Sequence, residues 1–292
     1  MDVRGALKEA MARLRAAEVP SHTLAAELLL MHMLGRDRAW LYAHPEENLA
    51  GEILGKYFDL VAQRAAGTPT QYLTGKQEFW GLEFQVTPVV LIPRPETEHV
   101  IEVALERIGQ KKSGRPLRVV DVGTGSGCLA VALARELPEA EVFATDISPA
   151  ALEVARRNAA RIGVGECVQF VEGNLLDPFL TAWPDSSSAR FGLIVSNPPY
   201  IGLAEREKLP REIREHEPPA ALFGGSRGVE IYEPLVDQAA KLLVSGGSLV
   251  VELGAGALDA VQDLFESRPA WMRVAVTVDL AGIPRVLAAD RS

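Results

Sequence analysis

The sequence predicts an α/β chain: a doubly wound, mainly parallel sheet with an antiparallel hairpin at its C-terminal end, preceded by a small helical bundle. Three observations predict it. From residue 93 onward, short apolar runs alternate with amphipathic helical patterns, as in parallel strands joined by crossover helices. The first of these strands runs into a glycine-rich turn with a helix directly behind it, Val119-Val120-Asp121-Val122-Gly123-Thr124-Gly125-Ser126-Gly127. The first 70 residues read as helices, with apolar side chains at spacings of three and four.

The elements follow in order. Ala6, Leu7, Ala10, Met11, Leu14 and Ala17 form the stripe of a first helix, which Pro20 ends. Ser21 is the expected N-cap of a second, carrying Leu24, Ala25, Leu28, Leu29 and Met31 and stopping near Gly35. A third covers residues 50–66, with Ile53, Leu54, Tyr57, Phe58 and Val61 inward, and Gly67-Thr68-Pro69 stops it. Residues 76–92 are rich in aromatic and β-branched side chains, with Gly81 at the turn of a β-hairpin. These boundaries give a helical domain (1–75), a hairpin linker (76–92) and an α/β domain (93–292). The α/β domain opens with a helix at 96–108 and a basic linker at 109–116. Strands at 117–122, 141–146, 168–172, 191–196 and 248–253 alternate with helices at 129–137, 149–162, 233–243 and 257–266. Two last strands, 273–278 and 285–289, are separated by a Gly-Pro turn with no helix, which places a hairpin on the sheet edge. Asp185–Ser188 is a small polar loop.

Composition bounds the function. The chain has 292 residues, 48% hydrophobic and 24% charged, which excludes a wholly disordered, collagen-like or disulfide-stapled protein. The net charge is −9, nearly all of it carried after residue 80, so a partner held mainly through its phosphates is disfavoured. Cys128 and Cys167 stand apart from any Cys-x-x-Cys pair or histidine cluster, so no metal site is read and a reduced, cytoplasmic protein is expected. The N-terminus lacks the apolar core of a signal peptide, and no stretch is long and apolar enough for a membrane span. His22, His32, His44, His99 and His216 are scattered and read as surface or satisfied residues.

The glycine loop carries the first chemistry. Glycines serve where the chain must turn sharply or a ligand must approach the backbone, and the helix start behind them offers free N–H groups. Nicotinamide sites prefer Gly-x-Gly-x-x-Gly. Here the third glycine comes one place early, at Gly127, followed by Cys128, and Asp121 stands just ahead, which suits a nucleoside cofactor without a pyrophosphate. Asp146 ends the second strand, 25 residues beyond Asp121, where an acid accepts hydrogen bonds from ribose hydroxyls.

The second carrier is Asn197-Pro198-Pro199-Tyr200, at the end of the fourth parallel strand. Two prolines fix φ twice and remove two N–H donors, and Pro198 restrains Asn197. The corner offers the Asn197 side-chain oxygen and the Pro198 carbonyl as two fixed acceptors for a planar –NH₂ group, with Tyr200 as a flat face. Such a clamp aims a poor nitrogen nucleophile at an electrophile, and positive charge developing on the nitrogen strengthens both bonds in the transition state.

With these residues in view, the chain resembles S-adenosylmethionine-dependent methyltransferases that act on planar nitrogens: Asp121–Gly127 looks like their motif I and Asn197–Tyr200 like their amine signature. Leu91-Ile92-Pro93-Arg94-Pro95-Glu96-Thr97-Glu98, Phe79–Phe84, Arg64–Pro69, Glu217–Leu222 and Gly282–Val286 narrow the resemblance to HemK/PrmC-type protein-(glutamine-N5) methyltransferases, over nearly the whole chain. The resemblance implies a Rossmann-like class I methyltransferase sheet. It implies methyl transfer from S-adenosylmethionine, leaving S-adenosylhomocysteine, to the glutamine amide of the Gly-Gly-Gln loop of class I peptide chain release factors. By the same resemblance Gly123, Thr124, Gly125, Ser126 and Gly127 meet the methionine part of the cofactor, Asp146 the ribose, and Asn174 and Leu175 the adenine. Asn197, Pro198, Pro199 and Tyr200 hold the glutamine, with Asn197, Pro198 and Tyr200 as the catalytic set and Asn197 also touching the cofactor. The helical module would contact the release factor away from the reacting loop.

The chain departs from the family pattern at Leu175, where relatives often carry an aromatic residue, and after Gly254, where an expected Gln is missing. Arg94 reads equally as a ligand-steering cation or as an ion pair with Glu96 or Glu98. The mixed-charge run from Glu205 to Glu217 reads as a solvated helix or a loop that could cover the substrate. Two other functions stand beside the first: an adenine N6-methyltransferase on DNA or RNA, which the acidic charge argues against, and a non-catalytic cofactor-binding factor, which the intact Asn197–Tyr200 corner argues against. A nicotinamide dehydrogenase is more distant, because of Cys128.

Overall fold

The computed structural model describes residues 1–109, 117–183 and 190–292. Most of the expected basic linker and the polar loop Asp185–Ser188 lie outside the described residues. The chain forms two compact units: Met1–Lys76 with Leu209–His216, and Gln77–Lys208 with Glu217–Ser292.

The first unit holds α1 (Val3–Ala16), α2 (His22–Leu34), α3 (Arg38–Ala43), α4 (Gly51–Ala65) and α5 (Thr70–Thr74). Asp2 caps α1, its Oδ1 accepting from Gly5 N at 2.7 Å. Ser21 stands at the start of α2 but does not cap it: its φ is +51° and its side chain makes no capping bond. Gly35, at φ +61°, ends α2 in the left-handed conformation that glycine adopts without steric cost. Leu14, Leu29, Leu30, Leu41, Tyr57 and Val61 fill the core, while Leu24 of the second helix is exposed. The helices α3 and α5 carry one buried residue each, too few for a periodic stripe in the sequence. The short α3 is anchored by Glu27, a fully buried acid on α2 that accepts from Tyr42 Oη at 2.5 Å and pairs with Arg38 at 2.9 Å. The segment Leu209–His216 joins this unit through the buried Arg64, which donates to Glu212.

The second unit begins with the strands β1 (Lys76–Phe79) and β2 (Leu82–Gln85). Trp80 and Gly81 between them have φ of +53° and +66°, the doubly left-handed turn that suits a two-residue hairpin. A 3₁₀ turn at Pro95–Thr97 leads into α6 (Glu98–Gly109). Next come β3 (Arg118–Val122), α7 (Cys128–Glu136), β4 (Glu141–Asp146), α8 (Pro149–Ile162), β5 (Val168–Glu172), α9 (Asp177–Ala182) and β6 (Phe191–Ser196). Then follow β7 (Ile201–Gly202) and a 3₁₀ turn at Leu203–Lys208; after α10 (Arg211–His216), which belongs to the first unit, come α11 (Pro219–Leu222) and β8 (Phe223–Gly225). The chain closes with α12 (Tyr232–Leu242), β9 (Leu243–Glu252), α13 (Leu258–Glu266), β10 (Trp271–Val278) and β11 (Pro284–Arg291).

Seven strands form one sheet in the order β10-β11-β9-β6-β3-β4-β5, and β7 pairs with β8 apart from it. The pairs β3–β4, β3–β6, β4–β5 and β6–β9 are parallel, whereas β11 is antiparallel to both β9 and β10. The expected edge hairpin is therefore present, but its second strand lies inside the sheet and is the one strand there that runs against the others. Alternate strand residues face opposite layers. Val119, Leu193 and Val250 pack with α6 and α7, while Val120, Ile194, Leu249 and Val251 pack with α12 and α13. Strand order reverses between β3 and β6, and in doubly wound sheets ligands bind beyond the carboxyl ends of the strands at that switch point. Among the described residues no helix is long and apolar enough to cross a membrane.

Candidate active site

Both predicted carriers of chemistry leave the sheet at this switch point, because Val122 at the end of β3 is in register with Ser196 at the end of β6. Ser196 Oγ donates to Val122 O at 2.7 Å and ties the two strand ends together.

On the β3 side, Gly123, Gly125 and Gly127 have φ of +74°, +55° and +84°. They are glycines for two different reasons. A Cβ on Gly123 or Gly125 would meet nothing within 4 Å, so there the left-handed backbone and an open approach matter. A Cβ on Gly127 would stand 3.0 Å from Ala155 Cβ, so there close packing of α7 on α8 matters. The loop is held from below: Gly123 N and Thr124 N donate to Thr145 O, each at 2.9 Å, and the buried Asn158 donates to Ser126 O at 2.8 Å. Asn158 also exchanges bonds with the Gln85 backbone, which ties the hairpin to the loop.

Asp121 lies under the loop, 1% exposed. Its Oδ2 accepts from Thr124 Oγ1 at 2.6 Å and Ala130 N at 3.1 Å, while Oδ1 is buried without a partner. Burial pushes its pKa up to about 7, against the pull of the Thr124 and Ala130 bonds, and the charge of Asp146 adds to the rise. A buried carboxylate with one oxygen unspent, beside two glycines with open approaches, is a seat for a cation. Cys128 follows the loop; burial raises its thiol to about 12, which keeps it neutral and unreactive.

Asp146, at the end of β4, accepts from Gly125 N and Ser148 N, each at 2.9 Å and each on a different oxygen. Each oxygen retains a second lone pair. Ile147, directly after it, is 64% exposed although apolar. Nothing local in the sequence marks Ile147, because its exposure is seen only in the fold. Beyond β5, Leu175 takes the left-handed conformation at φ +49°, its carbonyl accepting from Thr145 Oγ1 at 3.0 Å, and Asn174 reaches Asp177 at 3.5 Å.

On the β6 side, Asn197 Nδ2 donates to Thr97 Oγ1 at 3.0 Å, which leaves the amide oxygen as the acceptor. Tyr200 Oη donates at 3.1 Å to Glu252 Oε1, at the end of β9. Glu252 is 2% exposed, and burial raises its carboxyl to about 7. The Thr97 and Tyr200 hydroxyls nearby hold that value down, Glu96 pushes it up and Arg285 lowers it. Burial also raises the Tyr200 and Tyr232 phenols, so both stay protonated donors; Tyr232 Oη gives its hydrogen to the Glu252 backbone carbonyl at 2.8 Å. Glu252 and Thr97 were not singled out in the sequence as site residues. A lone acid closing an otherwise apolar strand was the signal for Glu252; nothing local marked Thr97.

Three glycines wall the corner. A Cβ would stand 2.1 Å from Pro199 O at Gly224, 2.3 Å from Tyr200 O at Gly228, and 2.8 Å from the Tyr200 ring at Gly254. Gly254→Ala is expected to push Tyr200 off its seat and cut turnover about 10-fold or more with the fold intact, because small displacements of a positioning group are costly. Wild-type turnover of a variant whose melting temperature is unchanged would show that Tyr200 needs no fixed seat. Arg94 has a structural partner: it donates to the buried Glu217, not to Glu96 or Glu98, so the Pro-Arg-Pro and Glu-Pro-Pro stretches are joined by an ion pair.

Comparison with known proteins identifies relatives of the whole chain. Residues 5–75 match the PrmC N-terminal domain, and residues 102–215 match the methyltransferase small domain. The chain is 43% identical, over 98% of both sequences, to the release factor glutamine methyltransferase of Koribacter versatilis. It is 43% identical to that of Moorella thermoacetica over 100% of this chain and 99% of the relative. The hMettl16 catalytic domain, solved in complex with MAT2A 3'UTR hairpin 6, superimposes with a TM-score of 0.56 at 17% identity, covering 80% of this chain and 82% of that one, a likeness of fold alone.

Proposed function

The chain belongs to the release factor glutamine methyltransferase family, and on that premise we propose that it methylates the side-chain amide nitrogen of the glutamine in the Gly-Gly-Gln loop of class I peptide chain release factors, using S-adenosylmethionine. The observation that carries this reading is the Asn197 amide: its nitrogen is spent on Thr97, so its oxygen is left to accept from an –NH₂ group on a corner stiffened by two prolines.

The residues present fit the cofactor. The unpartnered Asp121 Oδ1 suits the ammonium of its methionine end, the open faces of Gly123 and Gly125 admit its chain, and the spare lone pairs of Asp146 suit ribose hydroxyls. Exposed Ile147 and half-buried Leu175 offer apolar surface for the adenine, with Asn174 alongside. When bound, S-adenosylmethionine supplies an electrophilic methyl group on a sulfonium. The chain's own contribution is orientation. Asn197 Oδ1 and the Pro198 carbonyl take the two amide hydrogens, Pro199 stiffens the turn, and Tyr200 covers the flat amide. An amide nitrogen is a poor nucleophile, and fixing it at the electrophile contributes several kcal/mol, up to ~10. Charge developing on the nitrogen then tightens both bonds.

The helical unit is proposed to hold the release factor away from the reacting loop. A cavity of about 600 Å³ there has Leu7 and Met11 among its lining and Arg4, Lys8 and Arg15 as its charged groups, which suits an acidic partner surface with an apolar anchor.

The test is transfer of labelled methyl from S-adenosylmethionine to three acceptors: full-length release factor, its loop Gln→Ala variant, and DNA. Label on the intact factor alone is expected. Label on DNA alone would replace this reading with an adenine methyltransferase, and label on the Gln→Ala variant would move the acceptor elsewhere on the factor.

A further inference from the structure

We propose that Glu252 is a positioning residue for methyl transfer: from the end of β9 it holds the tip of the Tyr200 ring, so that the ring presents a fixed face to the substrate amide; this rests on the function proposed above. A tyrosine ring turns about two bonds, and a ring fastened only at its root can swing. Pro198 and Pro199 fix the backbone in front of Tyr200, and so steady the root. They do nothing for the tip. A face that covers an amide is useful only if it stays in place, because the amide must remain aligned with the methyl donor.

Glu252 fastens the tip. Tyr200 Oη donates to its Oε1 at 3.1 Å, between residues 52 positions apart. Ionised or protonated, a carboxyl keeps an oxygen that accepts, so the bond does not depend on the charge of Glu252. The burial of this acid also calls for a reason. Glu252 is 2% exposed, and its Oε2 is buried without a partner among the described residues. A buried polar atom left unpaired costs stability, so for the fold alone an aliphatic side chain would serve better, as Val250 and Val251 do in the same strand. The bond that Glu252 does make ends on the Asn-Pro-Pro-Tyr corner.

The end of β9 is a rigid mount for that bond. Glu252 is in register with Val286 of β11, its backbone carbonyl accepts from Tyr232 Oη at 2.8 Å, and Leu253 N donates to Arg285 O at 2.7 Å. Leu253 buries its side chain in the core beneath α12 and α13. Glu252 and Gly254, on either side of it, therefore share the other side of the chain. Glu252 takes the ring tip, and Gly254 makes room for the root: a Cβ there would stand 2.8 Å from Tyr200 Cδ2 and 3.0 Å from Tyr200 Cβ. Two residues at one strand end thus hold both ends of the ring.

The experiment compares Glu252→Leu, Glu252→Gln, Tyr200→Phe and the double variant Glu252→Leu/Tyr200→Phe with the wild type, measuring kcat and KM for the release factor, the dissociation constant for S-adenosylmethionine and the melting temperature. Glu252→Leu removes the acceptor and Tyr200→Phe the donor; each is expected to lower kcat about 10-fold or more with cofactor affinity within a few-fold. Glu252→Gln keeps a carbonyl oxygen for the Tyr200 hydrogen and should stay within about 3-fold of wild-type kcat. In the double variant the second change should cost almost nothing further, because the bond is already gone. A merely structural Glu252 would lower the melting temperature and leave the kcat of the folded enzyme alone. Fully additive losses, a Glu252→Gln as slow as Glu252→Leu, or wild-type kcat in Tyr200→Phe would each overturn the assignment, and the last decides it even if Glu252→Leu does not fold. No transfer by the wild type to any release factor would overturn the proposed function instead, so the two failures are distinct.

Discussion

Asn197→Ala is expected to reduce turnover at least about 100-fold while cofactor affinity stays within a few-fold. The reasoning is differential. In the proposed clamp Asn197 supplies one of the two acceptors, and its grip strengthens as positive charge grows on the acceptor nitrogen. Alanine removes that acceptor and also releases the Thr97 hydroxyl, to which Asn197 donates at 3.0 Å. The proposed cofactor seat is built from other residues: Asp121 in β3, Gly123–Gly127 directly after it, and Asp146 at the end of β4. Steady-state kinetics with release factor, paired with calorimetric titration of S-adenosylmethionine, separates the two effects. Equal turnover would remove the amide clamp from the mechanism.

Asp121→Asn is expected to weaken S-adenosylmethionine binding roughly 30-fold, from the loss of a charge-assisted bond worth about 2 kcal/mol. Asparagine can keep its oxygen on Thr124 and Ala130, but its NH₂ then occupies the place of the unspent Oδ1 and faces the ammonium with hydrogens. The same variant changes stability in a pH-dependent way. The Asp121 carboxyl rises from an ordinary 3.8 to about 7 in the folded protein, chiefly by burial. Between those values the folded state holds a proton that the unfolded state has released. Stability from this group therefore falls as pH rises through the window, and the full penalty is present above about 7. Asparagine has no such penalty. The melting temperature of cofactor-free Asp121→Asn, measured relative to wild type, should climb between pH 5 and pH 8. A difference that stays flat with pH would mean that Asp121 is not the buried titrating group. Unchanged cofactor affinity would take it out of the site.

Much of this was legible in the sequence for a local reason. The glycine loop, the acid ending β4 and the Asn-Pro-Pro-Tyr corner are each a few consecutive residues whose backbone demands are written in their side chains: φ values open to glycine, φ fixed by proline, an acid closing a strand. The strands β4, β5 and β6 and the helix α8 begin and end where apolar periodicity and Gly/Pro punctuation put them. Elements of one or two buried residues, such as α3 and α5, carry too little pattern to read, and Ser21 failed as a cap because its backbone went left-handed. The strand β9 starts at Leu243, not Ser248, since Gly246 and Gly247 look like a turn until neighbouring strands extend the pairing.

By itself, then, the sequence determined the class of sheet, the left-handed glycine loop after β3 and the stiff Asn-Pro-Pro-Tyr corner after β6, because each depends on neighbours along the chain. The tertiary structure alone decided the insertion of β11 beside β9, the pairing of Arg94 with Glu217, the grouping of Leu209–His216 with the helical unit, and the bond from Asn197 to Thr97. Those are contacts between groups about 100 residues apart or more, or a choice of strand partner. A hydrogen bond of that kind leaves no periodic trace, since its geometry comes from the register of the whole sheet and not from the residues beside it.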